Sequence, residues 1–240
     1  MDAVSTPDDA ELRQLDPFEA LDREAARLEA HFRGLDAAGW ARPSRCEGWT
    51  TRDMLSHLLS VEVYSQACLD DDLARIMKKA AESGATDVHS FNDIFVKEYA
   101  GRPASDVLDE WQALNADFRA RMRERGREGS LTTMVGPYPV GWQAFHLASE
   151  AATHADDIGA QVDPGDAPAR TEWRARFSRF ALAEHGRAVE IVASDGRNVV
   201  WMGDVSAELS DAELVEVVAG RVPADHPLDP ALREALSTAP

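Results

Sequence analysis

VGWQAFHLASEAATHADDIGAQV, residues 140–162, carries His146, Glu150 and His154 at successive intervals of four. The segment reads as an α-helix ending near Gly159. Residues four apart lie one turn apart on the same helix face, so two of these side chains can converge on one ion. Zinc, iron and nickel accept imidazole nitrogen and carboxylate oxygen, and a catalytic site keeps one position open beside three protein ligands. The same spacing also arises on ordinary solvated helix faces, so it does not by itself separate ligands from surface polar residues.

A third ligand has to come from another helix. Upstream, Asp16-Pro17 signals a helix start, and Phe18, Leu21, Ala25, Leu28 and Phe32 follow at helical spacing, with Gly34 and Gly39 marking the end. Thr50-Thr51-Arg52-Asp53 resembles a capping box that opens a second helix through Met54, Leu55, Leu58 and Leu59, running onward past Met77. His57 sits within that apolar run, where an imidazole needs a partner, and is the best candidate. Pro103 opens a third helix with Val107, Leu108, Trp111, Leu114 and Phe118, and a short helical piece is expected near 91–99. Gly129–Pro139 is a turn-rich linker holding a possible extended piece, LTTMVG. Four such helices with a crossover are the parts of a four-helix bundle.

After Pro164-Gly165 the texture changes. A helix over 172–185 precedes β-rich runs that flank Asp195-Gly196, a hairpin signal, and a short helix over 211–219 ends at Gly220. The expected fold is therefore mainly α: a bundle over 10–162, a small α+β domain over 166–224, and a loosely attached Pro-rich tail over 225–240.

The 240 residues include 44% hydrophobic ones, enough for a sizeable core. With 25 basic against 43 acidic residues the net charge is −18, a field that argues against nucleic-acid or anionic-membrane partners. The acidic N-terminus lacks a secretory pattern and no apolar run approaches a membrane span, so a cytoplasmic location is expected. Two cysteines, Cys46 and Cys68, make no disulfide framework; Cys68 reads as a buried filler and Cys46 as part of a turn. His31, His89, His185 and His226 read as structural.

The stretch PSRCEGWTTRDMLSHLLSVE (43–62), with the later EAATHADDIGA (150–160), resembles the mycothiol-dependent maleylpyruvate isomerase family of the DinB/YfiT-like superfamily of metal-binding four-helix bundles. The shared pattern falls on Pro43, Ser44, Cys46, Gly48, Trp49, Thr50, Arg52, Asp53, His57, Glu150, His154 and Asp157. The resemblance implies a DinB-like bundle with His57, Glu150 and His154 as ligands of a divalent metal. Zinc suits three N/O ligands best, and nickel or iron also fit. It implies mycothiol as thiol cosubstrate and a small electrophile as substrate, in an isomerase or S-transferase that is a monomer or homodimer. A Gly-Arg pair in the family's smaller domain is matched by Gly220-Arg221, which makes Arg221 a candidate to hold a substrate carboxylate. His146 is a further candidate catalytic or substrate-facing residue, and Asp157 a candidate to orient the His154 imidazole. Two other readings of the same residues stay open. One is a hydrolase using metal-bound hydroxide, with Pro137-Tyr138-Pro139 bringing a phenol near. The other is a non-catalytic metal- or ligand-binding bundle.

Overall fold

The computed structural model describes residues 7–238, apart from the side chains of Val88 and His89. The expectation for His89 therefore lies outside the described residues. The chain divides into two compact units: residues 17–161, and residues up to 16 together with 162 onward. The fold is mainly helical with a small sheet near the C-terminus.

In the first unit, α1 (Pro17–Arg33), α3 (Thr51–Leu69), α6 (Ala104–Arg125) and α7 (Val140–Asp157) are the four long helices, with a single turn α2 (Ala37–Trp40) after α1. Helix α1 packs on α7 and α6, and α3 packs on α6. The core joins Leu28 and Phe32 of α1, Met54, Leu55 and Leu59 of α3, Trp111 of α6 and Ala155 of α7. Phe32 meets the Trp111 ring edge-on and stacks on Trp40 at 5.6 Å. Each such aromatic side chain, taken fully out of water, favours the fold by roughly 1.5–3 kcal/mol before entropy is counted.

The Thr50–Asp53 capping box forms as the sequence predicts: Thr50 Oγ1 accepts from Asp53 N–H, and the Asp53 carboxylate accepts from Thr50 N–H. Helix α3 does not run past Met77. It stops at Leu69, Asp71 takes a left-handed φ of 54°, and Asp72 N–H closes onto Ala67 C=O. Three consecutive acids (70–72) oppose the negative end of the helix dipole, which favours termination there. The chain restarts as α4 (Leu73–Glu82) and then α5 (Val88–Tyr99), which is longer than the piece expected near 91–99. The LTTMVG stretch lies in an antiparallel hairpin, β1 (Ser130–Thr133) and β2 (Gly136–Pro139), that turns at Met134-Val135 and leads directly into α7. Gly159, at φ 72°, ends α7 and lets Ala160 N–H reach back to Ala155 C=O.

In the second unit, α8 (Ala167–Glu184) begins earlier than the 172 expected, with Pro168 in its first turn. Strands β3 (Glu190–Ser194), β4 (Arg197–Met202) and β5 (Val205–Ser210) form an antiparallel meander with Asp195-Gly196 at the first turn, as predicted. Helix α9 (Asp211–Val218) follows under its own capping box. Two boundaries differ from the sequence expectation. Residues before 17 belong to this unit: Arg179 pairs with Glu11, and Arg176 donates to Gln14. The tail after 224 is not loose either. It forms α10 (Pro230–Leu236), whose Leu232 and Leu236 are fully buried beside Leu214 and Val217.

Candidate metal centre

Two turns into α3, beyond its capped start, His57 is buried at 3% exposure. Helix α7 presents Glu150 and His154 one turn apart. The three meet. Glu150 Oε1 lies 2.9 Å from His57 Nε2 and 3.1 Å from His154 Nε2. The two imidazoles stand edge to face with centroids 4.8 Å apart, and the Trp49 ring packs on His57 at 5.1 Å.

Ligand atoms about 2.0–2.2 Å from a tetrahedral zinc ion lie roughly 3–3.5 Å from one another. One donor atom from each of His57, Glu150 and His154 falls within 4.8 Å of the others, close enough for this N, O, N set to converge on one divalent cation. His57 Nδ1 is buried with no hydrogen-bond partner among the described residues, which leaves Nε2 as its one engaged nitrogen.

The second nitrogen of His154 is occupied from behind. Its Nδ1 lies 3.0 Å from Asp157 Oδ2, and the Cys46 thiol donates to that same oxygen at 3.3 Å. The Cys46 loop is tied down here as well: Arg45 N–H donates to Asp157 C=O, and Arg42 donates to Ile158 C=O. Cys46, His154 and Asp157 thus form a second close group of donor-type atoms. We read it as hydrogen-bonded support, because Asp157 fixes which ring nitrogen of His154 faces Glu150.

Charge follows from this arrangement. Burial works against ionised Glu150, but the two imidazoles outweigh it and hold the carboxyl well below its usual range. Burial likewise works against protonated His154, and the Glu150 charge with the Asp157 and Cys46 contacts overcomes it, so His154 is raised well above an ordinary histidine. Burial dominates at His57 and lowers it. Without a metal, the trio is a Glu150–His154 ion pair beside a neutral His57.

One side of the centre is open. His57 and Glu150 form part of the wall of a cavity of about 430 Å³ between α3, α4, α5 and the β1–β2 hairpin. That is why 40% of the Glu150 side chain remains accessible although neighbours crowd it.

The other candidates lie elsewhere. His146 shares the α7 face in sequence but is not brought to the trio; its Nε2 lies 3.0 Å from the Tyr138 hydroxyl of β2. The Pro137-Tyr138-Pro139 phenol is thereby engaged with His146. Arg221 belongs to the second unit, just past α9, where its guanidinium donates to Ala219 C=O. The Cys46–Asp157 contact was missed by sequence reasoning: 111 residues separate the two, and no local spacing signals it.

Residues 21–159 match the family of the mycothiol maleylpyruvate isomerase N-terminal domain. The chain belongs to this family. Its fold is also similar to two crystal structures of the mycothiol-dependent maleylpyruvate isomerase. One is of the enzyme itself, at 17% identity, and one of a histidine-to-alanine mutant, at 16%. Each has a TM-score of 0.57 and covers 86% of this chain and 88% of the other. At such identities the likeness is one of fold. No curated protein matches the sequence. Among the described residues no helix is long and apolar enough to cross a membrane.

Proposed function

We propose that this protein is an enzyme that holds one divalent metal at His57, Glu150 and His154 and uses mycothiol to isomerise, or transfer sulfur to, a small electrophile. The observation that carries this is the single carboxylate oxygen within 3.1 Å of imidazole nitrogens from two helices, on the wall of a cavity. A zinc, nickel or iron ion bound there lowers a thiol pKa enough to keep it as thiolate at neutral pH.

The chain's own residues do the positioning. Asp157 holds His154 in one tautomer, Trp49 restricts the His57 ring, and the helix register sets Glu150 between them. In the isomerase reaction the thiolate sulfur bonds to one alkene carbon, the former double bond rotates as a single bond, and the same C–S bond breaks to return thiolate and the trans alkene. In the transfer reaction the C–S bond stays and a leaving group departs with the electron pair. Family membership and the fold likeness both favour mycothiol as the thiol.

The test is elemental analysis of the purified full chain beside a mycothiol-consumption assay with simple electrophiles. The expected result is one equivalent of metal, lost in His57→Ala and in Glu150→Ala, with thiol turnover that tracks metal content. Metal retained with no thiol turnover points instead to hydrolysis or plain binding. No metal in the wild type removes the proposal.

A further inference from the structure

The cavity beside the trio carries a statement about substrate that neither the family nor the fold likeness contains. At about 430 Å³ it has the size of a small-molecule site. Its wall is built from α3 (Val61, Tyr64), α4 (Met77, Ala81), α5 (Phe91) and the hairpin turn (Met134). No Arg or Lys lines it among the described residues, Asp87 adds a negative charge, and the Glu150 charge is taken up by the centre itself. The lysines of α4 are committed elsewhere: Lys79 pairs with Glu98 at 2.6 Å and lies over the Phe95 ring, and Lys78 faces Glu82.

The mouth repeats the same chemistry. Met77 is 41% exposed and Met134 56%. Large apolar side chains left in water together around one opening mark a surface that receives an apolar ligand. With metal and thiolate bound, the cation's two charges would be balanced by Glu150 and the thiolate, and a carboxylate elsewhere in this cavity would lose its hydration, find no Arg or Lys on the wall, and meet the Asp87 charge. The chain's net charge of −18 opposes an anionic substrate at longer range.

We infer that this cavity takes an uncharged, largely apolar electrophile, such as an ester or aryl-substituted activated alkene, and rejects the free dicarboxylate. The inference rests on the thiol chemistry proposed above. On such an alkene the step is the isomerisation above: the thiolate sulfur bonds to the β-carbon as the π pair moves to the carbon beside the carbonyl, the former double bond rotates, and the C–S bond breaks to return the thiolate and the trans alkene.

Dimethyl maleate and maleate form a matched pair for the test. With metal-loaded full chain and mycothiol, each rate is divided by its uncatalysed counterpart. The diester's enhancement is expected to exceed that of the diacid by about tenfold or more, since an unpaired buried charge costs at least that much. Met77→Arg, at an exposed position that tolerates a cation, is expected to narrow the ratio by about tenfold. A diacid turned over as well as the diester, or a ratio unmoved by Met77→Arg, overturns the inference. Calorimetry with dimethyl phthalate, an unreactive uncharged diester, separates this reading from its parent. If neither alkene is turned over, the thiol chemistry fails, yet phthalate-ester binding that weakens in Phe91→Ala still supports the cavity assignment. No ester binding at all sinks it.

Discussion

Glu62 of α3 is buried at 7% exposure and points between helices toward α6, where Asn115 Nδ2 donates to it at 2.6 Å. The other end of that amide accepts from Arg119 Nε at 2.8 Å, so Asn115 has no choice but to turn its NH₂ to Glu62. Burial pushes the Glu62 carboxyl from its ordinary 4.5 up to about 7, with the Asn115 bond and the Arg119 charge only partly offsetting it. The folded chain therefore keeps a proton that the unfolded chain releases between those values. Stability from this group is fully present below pH 4.5, falls as pH rises, and levels off above about 7. The whole rise is worth about 3 kcal/mol. Glu62→Gln keeps an oxygen for Asn115 and removes the ionisation. The variant is expected to match the wild type at pH 4.5 and to gain up to about 3 kcal/mol at pH 8. Urea unfolding of both proteins across this range gives the difference at each pH, in which the titration of every other group cancels. A difference that stays constant with pH, or a variant weaker than wild type at pH 8, refutes the reasoning: Glu62 would then be ionised in the fold and held by Arg119.

Asp157→Asn is expected to lower metal affinity about 10- to 100-fold while leaving the trio in place, because His154 loses the acceptor that fixes its ring; competition with a chromophoric chelator measures it, and unchanged affinity counts against the role. His146→Ala is expected to retain a full equivalent of metal and to lose about 1 kcal/mol of stability from the Tyr138 contact; elemental analysis showing metal loss would return His146 to the ligand set. Leu232→Ala, in the fully buried tail helix, is expected to cost about 2–5 kcal/mol in the second unit, readable as lost amide protection in α9 and α10. Wild-type protection in that variant means that the tail is not anchored as described.

The meeting of His57, Glu150 and His154 was legible because its parts are written locally: Glu150 and His154 one turn apart, His57 behind a capping box, both motifs shared with a known family. The bundle helices followed from apolar spacing, and the Asp195-Gly196 hairpin from turn chemistry. What stayed hidden depends on contacts with no local signature. His146 has the same spacing from Glu150 as His154 has, yet the β1–β2 register delivers Tyr138 to it first. The break after Leu69 needed a non-glycine residue, Asp71, in a left-handed conformation that sequence patterns seldom flag. Residues 10–16 read as part of the bundle and the Pro-rich tail as loosely attached, but Leu12 and Leu232 bury completely within the second unit.

His57 and Glu150 stand 93 residues apart along the chain. Neither half of the bundle alone can offer three donors, so an ion would be captured last, after the closing contacts between α3 and α7 are made. Occupancy then becomes a readout of completed assembly, and free metal at a hundred times its dissociation constant would add about 2.7 kcal/mol to the folded side of the balance. How sturdy the protein is inside a cell would thus vary with that cell's supply of the cation.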